Sequence, residues 1–173
     1  VHLDIPYDLW VTKDEVEVPH PAEHSEMLNW RTPGSPEAVA KALELLLAAR
    51  RPLILAGGGV VCSEASAELL RFAEHVNVPV YSSFMGKGAI SARHPLHLGI
   101  AGCWGEYPAQ EAARNADVIL ALGCRFSDIH ASSWLPGYSW NFPHAKLIHV
   151  DVDPDELGRN YPPDLAILAD ART

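Results

Sequence analysis

A run of three glycines, Gly57 to Gly59, follows an apolar segment and precedes a stretch that Ser63 can cap as a helix. Glycine accepts positive φ angles and lets a ligand approach bare backbone amides at a helix N-terminus, which is the usual way to hold a phosphate group. A dinucleotide diphosphate would fit such a turn. The spacing departs from the G-x-G-x-x-G pattern because Cys62 stands in the place of the third glycine. Phosphate contact and a simple tight turn are therefore equally good interpretations.

A second glycine-rich segment covers residues 98–105. It has too many glycines for a helix and too many apolar residues for a solvated loop. One interpretation is a tight crossover loop in which Trp104 fills the core, and the other is a surface that a ligand approaches closely. The composition favours the crossover loop.

Charged side chains follow the apolar run 118–122, at Arg125 and Asp128. In open sheets of parallel strands, ligands bind beyond the carboxyl ends of the strands. Arg125 is therefore placed to meet a phosphate group or the edge of a flavin. The alternative is an ion pair between Arg125 and Asp128 on the surface.

Polar and apolar residues alternate near position 150, so that His149, Asp151 and Asp153 share one side of a predicted strand. Three aligned polar groups could suggest a metal site. Asp153, however, is placed to cap a helix that begins at Pro154, which leaves only two candidates, and we predict no metal site. An acidic residue at a strand end can instead accept ribose hydroxyl groups, and Asp151 holds that position.

No catalytic nucleophile is evident in the sequence. Neither a G-x-S-x-G motif nor a P-loop occurs, and His94 and His97 lack a third metal ligand at helical spacing. We therefore predict no catalytic residue in this chain.

Short apolar strands alternate with helical segments along the chain. This alternation predicts an α/β fold with a doubly wound parallel sheet flanked by helices, of the Rossmann-like type seen in DHS-like NAD/FAD-binding domains. The predicted strands are residues 53–56, 78–82, 118–122, 147–152 and 166–168. The predicted helices are residues 36–50, capped by Ser35, and residues 64–75, 108–115 and 154–159.

The first part of the chain differs from the rest in composition. Residues 1–6 alternate like a strand, and residues 7–34 have the prolines, acidic residues and weak periodicity of an interdomain linker. The nucleotide-type domain is then predicted to span residues 35–173. We expect both ends to connect to further domains of a longer protein.

The acidic composition limits the partners that the chain can bind. A net charge of −9 would repel a nucleic-acid backbone, and no basic stripe interrupts it. No apolar run approaches the roughly 20 residues that a membrane-spanning helix needs. Three cysteines without a CxxC pair, and no secretory leader, favour a cytoplasmic protein. We therefore expect neither nucleic acid nor a membrane as a partner.

Several segments, taken in order, resemble the central domain of thiamine diphosphate enzymes of the acetolactate synthase group. Residues 1–6 look like the closing strand of the preceding pyrimidine-binding domain of that family. The resemblance further rests on Arg51-Pro52-Leu53-Ile54-Leu55-Ala56-Gly57-Gly58-Gly59-Val60, Phe84-Met85-Gly86-Lys87-Gly88, Gly123-x-Arg125-Phe126-x-Asp128, His149-Val150-Asp151-Val152-Asp153-Pro154 and Ala169-Asp170-Ala171. The order of these segments over essentially the whole chain makes the resemblance specific.

In flavin-containing members of that family these loops hold FAD. The resemblance therefore implies cofactor contacts at Gly58, Gly59, Ser83, Phe84, Gly102, Cys103, Trp104, Gly105, Gly123, Arg125, Asp128, Asp151 and Asp170. Cys103 and Trp104 depart from the Met-His pair that acetolactate synthases usually carry at this place. Other members of the family bind ADP or no ligand at this domain.

The resemblance also implies a chemistry that other domains perform. In the family, a glutamate of the pyrimidine-binding domain activates thiamine diphosphate, and a motif of the diphosphate-binding domain holds Mg²⁺. The parent enzyme would be a homo-oligomeric lyase or acyl transferase that acts on a 2-oxo acid, and the isolated fragment would be inert. The alternatives are a structural spacer without a ligand and a stand-alone NAD-binding protein of related fold.

Overall fold

The structure, a computed structural model, describes residues 2, 4–13, 15 and 31–173. The chain falls into two compact units, Val1–Trp30 and Arg31–Thr173. The second unit contains the sheet and all of the predicted site residues. No helix among the described residues is both long and apolar enough to cross a membrane.

The first unit contains one described helix, α1 (Tyr7–Val11). Pro6 precedes it, and Asp8 lies in its first turn, where a carboxylate stabilises the positive end of the helix dipole. These residues are therefore helical where the sequence predicted an extended linker. The described residues among 1–6 are not in a strand, and residues 14 and 16–30 of the predicted linker lie outside the described part of the chain.

Six parallel strands form the central sheet of the second unit. They are β1 (Pro52–Ala56), β2 (Val80–Ser82), β3 (His97–Ile100), β4 (Val118–Leu122), β5 (Lys146–Asp151) and β6 (Leu165–Leu168). Their order is β3-β2-β1-β4-β5-β6, and every adjacent pair is parallel. This is the order of a doubly wound dinucleotide-binding sheet, so the predicted fold class is confirmed.

Helices pack on both faces of the sheet. They are α2 (Pro36–Leu47), α3 (Gly58–Cys62), α4 (Ser66–Val76), α5 (Tyr107–Asn115) and α6 (Asp128–Ala131), with a 3-10 turn at Gly102–Trp104. Alternate strand residues enter two buried clusters: Ile54 packs with α2 and α4, whereas Leu53 and Leu55 pack with α5. Because both faces are buried, the central strands are nearly continuous apolar runs.

The predicted cap of α2 is present, whereas the one predicted at Ser63 is wrong. The Ser35 hydroxyl oxygen accepts a hydrogen bond from the Ala38 amide at 3.1 Å, and proline occupies the first helical position. Helix α3 starts directly after Gly57, so Ser63 follows its last residue, and the N-cap position of the next helix, α4, is held by Ala65. The Ser63 hydroxyl donates to Asp170 at 3.0 Å.

Two segments differ from their predicted secondary structure. Residues 97–100, expected in a loop, form the edge strand β3. Gly99 has a φ of 118°, a conformation typical of glycine, and it interrupts the apolar pattern by which the other strands are recognised. Residues 154–159, predicted as a helix, form turns. The Asp153 side chain accepts the predicted capping bond from the Asp155 amide at 2.9 Å, but Gly158 has a left-handed φ of 80°, which interrupts the helical conformation.

Candidate functional site

The parallel strands bring the predicted site residues to the same edge of the sheet. Because the strands run in one direction, their carboxyl ends meet there, and the loops after them form the surface where ligands bind in this type of fold. The predicted residues are Gly58 and Gly59 after β1, Ser83 and Phe84 after β2, Gly102, Cys103, Trp104 and Gly105 after β3, Gly123, Arg125 and Asp128 after β4, Asp151 at the end of β5, and Asp170 after β6. The surroundings of these residues differ from loop to loop.

The glycine turn after β1 is closed by the turn after β4. The Gly57 amide donates to the Leu122 carbonyl at 2.8 Å, and the Gly59 amide donates to the Gly123 carbonyl at 3.0 Å. A Cβ atom on Gly123 would lie 2.5 Å from the Gly59 Cα, and one on Gly57 would overlap the Gly123 carbonyl. This approach of backbone to backbone accounts for glycine in both turns. Two amides that could hold a phosphate group already have partners.

The loop after β2 is fixed at its start and presents Phe84 to solvent. The Ser83 amide donates to the Ala56 carbonyl at 2.9 Å, and the Ser83 hydroxyl oxygen accepts from the Gly86 amide at 3.1 Å. Ser83 is buried, whereas Phe84 is exposed. Of the two predicted contacts in this loop, Phe84 is therefore the one open to a ligand.

His130, which the sequence analysis did not select, joins the loops after β2 and β4. Its Nε2 accepts a hydrogen bond from the Phe84 amide at 2.8 Å, and its Nδ1 lies 2.8 Å from the Ser127 hydroxyl oxygen. Burial, with a smaller effect of the positive charge of Arg125, lowers the pKa of His130 below its ordinary value of 6.5. The one signal in the sequence was its position two residues after Asp128.

The 3-10 turn after β3 packs closely against helix α6. Gly102 has a φ of 85°, and a Cβ atom there would lie 2.7 Å from the His130 Cα. The side-chain amide of Gln110 donates to the Gly102 carbonyl. Trp104 is 68% exposed, so the prediction that it fills the core is wrong. Gly102 is thus required for packing, while Cys103 and Trp104 are exposed to solvent.

The turn after β4 holds Arg125 and Asp128 near the surface by burying Phe126. Phe126 has a left-handed φ of 50°, a conformation that costs about 1 kcal/mol or more for a residue with a side chain. Its buried ring makes edge contacts, with centroids 5.3 to 6.1 Å apart, with Trp140, Phe142, His149 and Tyr161. This aromatic cluster offsets the strain and fixes the residues on either side.

A cleft of about 300 Å³ opens beside this turn. Polar and aromatic residues line it, namely Arg125, Ser127, Asp128, Trp134, Glu156, Arg159 and Asn160. The cleft therefore combines the loop after β4 with the turns after β5. Arg125 and Asp128 are the predicted site residues that it contains, and the sequence analysis missed the others.

The polar groups of this cleft are only partly paired with one another. Within the part of the chain that the structure describes, Arg125 forms no ion pair, so the alternative of an Arg125–Asp128 pair is wrong. The Glu156 carboxylate is buried; its Oε1 lies 3.0 Å from the Arg159 guanidinium, while its Oε2 has no hydrogen-bond partner among the described residues. The Asn160 side chain donates to the Arg125 carbonyl at 2.9 Å and ties the two loops together.

Asp151 and Asp170, the predicted contacts at β5 and β6, are engaged within the protein. Asp151 is buried and accepts a hydrogen bond from the amide two residues further on at 3.0 Å. Asp170 accepts hydrogen bonds from the Arg31 guanidinium and from the Ser63 hydroxyl, both at 3.0 Å. Burial alone would raise the pKa of Asp170, but these bonds and one from the Arg172 amide hold it below its ordinary value. The bonds of Asp170 to Arg31 and Ser63 therefore explain its position without a cofactor contact.

The aligned polar residues of β5 do not converge on a metal site. His149 Nε2 donates to the Cys124 carbonyl at 3.0 Å, and its Nδ1 has no hydrogen-bond partner among the described residues. Asp153 accepts its hydrogen bond from a neighbouring amide instead. The described residues contain no group of three or more His, Cys, Asp or Glu side chains that could hold a metal ion.

A second cavity, of about 400 Å³, lies between helices α2 and α4. Apolar side chains of these helices and of the sheet line most of it, among them Leu43, Leu69 and Ile167. Such a lining suits an apolar group and provides little for a phosphate to bind. We therefore place the candidate ligand site at the polar cleft.

Comparison with known proteins identifies the type of domain. Residues 39–173 match the family model of the thiamine pyrophosphate enzyme central domain. The chain is 41% identical over 175 residues to a probable acetolactate synthase large subunit of Methanococcus aeolicus, a match that covers 99% of this chain and 28% of that protein. The corresponding protein of Methanocaldococcus jannaschii is 42% identical, over 99% of this chain and 29% of its own length. The chain thus spans less than a third of these curated relatives.

A solved structure shares the fold. The X-ray structure of a candidate thiamin diphosphate-dependent enzyme from Mycobacterium smegmatis superposes with a TM-score of 0.65 at 21% identity, and the match covers 82% of this chain and 27% of that one. The glycine turns, the strand order and the family-model match over residues 39–173 agree with one another. The chain belongs to the family of thiamine pyrophosphate enzyme central domains.

Proposed function

We propose that this domain binds an adenine nucleotide, ADP or FAD, in the cleft between the loops after β4 and β5. The observation that carries the proposal is the presence in one cleft of Arg125, which forms no ion pair among the described residues, and of Glu156, whose Oε2 lacks a hydrogen-bond partner there. A guanidinium group binds phosphate oxygens, and carboxylates accept hydrogen bonds from ribose hydroxyls.

Two other side chains of the cleft support a nucleotide. The Trp134 indole N–H donates to the Phe126 carbonyl at 2.8 Å, which holds the ring in place while it stays 42% exposed. An aromatic face of this kind stacks on a base or a flavin. Asp128 adds a second carboxylate. The volume of about 300 Å³ is at the lower end for ligand pockets, so the cleft accommodates one part of a nucleotide.

We also propose that the parent protein is a thiamine diphosphate-dependent lyase or acyl transferase that acts on a 2-oxo acid. The names of the relatives as acetolactate synthases support this. Flanking pyrimidine- and diphosphate-binding domains would hold thiamine diphosphate and Mg²⁺, and residues 35–173 after the linker 7–34 would form the central domain. The parent enzyme would be a cytoplasmic homo-oligomer, and the present chain alone would not convert a 2-oxo acid.

A connecting domain without a ligand is the second candidate function. The closed turn at Gly57 and Gly59 favours it, because packing against Gly123 explains these glycines without a phosphate group. This candidate predicts that neither ADP nor FAD binds to the chain.

Calorimetric titration of the full chain with ADP and, separately, with FAD tests the proposal. We expect the Arg125→Ala substitution to weaken binding about tenfold or more, because a charge-assisted contact is lost. Arg50→Ala is the matched control, since Arg50 is also exposed but precedes β1 at the opposite end of the sheet. Equal affinity of the Arg125→Ala variant and the unmodified chain would refute the site. Absence of binding to the unmodified chain would favour the connecting function.

A further inference from the structure

The His130 ring bridges two loops at the edge where the nucleotide site is proposed. Its Nε2 is the acceptor for the Phe84 amide, and the ring is buried. Because a backbone amide only donates, Nε2 must carry no proton. The proton of the neutral ring therefore resides on Nδ1, which donates to the Ser127 hydroxyl oxygen 2.8 Å away.

We propose that His130 is a positioning residue whose neutral imidazole fixes the loop after β2 beside the loop after β4, and that protonation of the ring releases Phe84. The inference rests on the proposed function, because Ser127 and Asp128 of the loop after β4 line the nucleotide cleft. A protonated ring would turn an N–H group toward the Phe84 N–H, and neither group would have an acceptor.

The release would be confined to the tip of the loop. Ser83 stays bound to the Ala56 carbonyl at 2.9 Å, and the Gly86 amide stays bound to Ser83, so both sides of Phe84 keep their hydrogen bonds. The exposed Phe84 ring lies with its centroid 6.4 Å from that of His130. The orientation of this aromatic side chain is therefore the property that the histidine controls.

The charges around His130 favour the neutral ring. Burial has the largest effect on its pKa, and the positive charge of Arg125 lowers that pKa further. The other titratable side chains on the packed segments are Asp128 in its own helix, Cys103 in the 3-10 turn and Lys87 in the loop after β2. A phosphate bound at Arg125 would offset the positive charge that opposes protonation of His130, so nucleotide binding should raise the pKa of His130.

Nuclear magnetic resonance of the full chain, labelled with ¹⁵N, tests the proposal in the absence of ligand. We expect the protection factor of the Phe84 amide, which corrects its exchange rate for the intrinsic pH dependence of exchange, to fall about tenfold at low pH, with a midpoint that coincides with titration of the His130 ring below pH 6.5. A low protection factor of the Phe84 amide at every pH is expected for His130→Ala. His130→Gln, whose side-chain carbonyl can still accept a hydrogen bond, should remove the pH dependence and keep the amide protected.

His75→Gln is the control, because His75 is exposed on α4 and should leave the Phe84 profile unchanged. The proposal is overturned if the protection factor of the Phe84 amide does not follow the His130 titration, a result that needs only the unmodified chain. A second titration with ADP separates the two hypotheses. If ADP leaves the pKa of His130 unchanged while Phe84 still follows the ring, the nucleotide site fails and the positioning role stands.

Discussion

The turns after β1 and β4 lie side by side at the centre of the sheet, yet their polar groups have different partners. The amides of Gly57 and Gly59 donate to carbonyls of the β4 turn, so this glycine-rich turn is satisfied within the protein. Two residues beyond Gly123, the side chain of Arg125 lines an open cleft without an ion-pair partner among the described residues. A glycine run after a strand thus indicates that something approaches the backbone closely, and here the approaching group is another backbone.

Burial of one side chain produces the difference. Phe126 inserts into an aromatic cluster in a left-handed conformation, and this turns the flanking residues toward the surface. The turn after β1 has no such anchor in its glycines and instead uses their small size. The first turn is therefore explained by packing within the protein, whereas the second is the one that we propose to bind a ligand, and the following substitutions test that division.

The largest effect is expected for Gly57→Ala. Its φ of −89° suits alanine, but the new Cβ would lie 2.6 Å from the Cys124 Cα and overlap the Gly123 carbonyl. We expect a loss of at least about 3 kcal/mol in the free energy of unfolding, measured by urea denaturation. Gly137→Ala is the control, because Gly137 has a φ of 69° but open space around it, and should cost about 1 to 2 kcal/mol. Equal losses would contradict the packing role of the turn.

A smaller effect is expected for Asp170→Asn, which separates structural from ligand-binding carboxylates. The substitution weakens the bonds to Arg31 and Ser63 and should lower the free energy of unfolding by about 1 to 3 kcal/mol without changing ADP affinity. Asp128→Asn is the reciprocal variant: Asp128 is exposed in the cleft, so stability should change by less than about 1 kcal/mol while ADP affinity falls several-fold. Loss of ADP affinity in Asp170→Asn would show that the division is wrong.

The smallest effect is a dependence of stability on pH caused by His149. Burial lowers the pKa of His149 below 6.5, so the unfolded chain takes up the proton first as the pH falls. The contribution of His149 to the free energy of unfolding should be constant above about pH 6.5 and decrease below it, by at most about 1.4 kcal/mol per pH unit, until the folded-state pKa is reached. His130, whose pKa is also lowered, adds a contribution of the same sign that His149→Gln leaves in place. Urea denaturation at pH values between about 7.5 and about 5 measures this dependence of the free energy of unfolding on pH.

In His149→Gln the slope below pH 6.5 should be smaller, and in His75→Gln it should be unchanged. The pKa of Asp170 is lowered from its ordinary value of 3.8, so Asp170 stabilises the fold at pH values above 3.8 and loses this effect only as the pH falls further. The contributions of His149 and Asp170 therefore fall in different pH ranges and are separable. A slope unaffected by His149→Gln would exclude this histidine as the cause.

The fold could largely be predicted because its central strands are buried on both faces. The runs that became β1, β4 and β5 are apolar and end in glycine or a polar turn, which indicates a parallel sheet before any contact is known. β3 was missed because it is a half-buried edge strand with Gly99 in its middle. The helix predicted after Asp153 was wrong because Gly158, with a left-handed φ of 80°, interrupts the segment that the sequence pattern indicated as helical.

The candidate site could be predicted only in part, because its groups meet only in the folded chain. Arg125 and Asp128 follow a strand, and that position alone places them at the ligand-binding edge. Glu156 and Trp134 join them across loops of irregular structure, which leave no periodic pattern to recognise. The same holds for the Ser63 hydroxyl and Asp170, which bond across 107 residues of sequence.

Hydrogen–deuterium exchange of the full chain, with and without ADP, tests the central claim most directly. The account predicts that ADP slows amide exchange at residues 125–128 and 156–160 and leaves residues 57–59 unchanged, because the glycine turn already has its partners. Protection by ADP centred on residues 57–59, with none at Arg125, would contradict it.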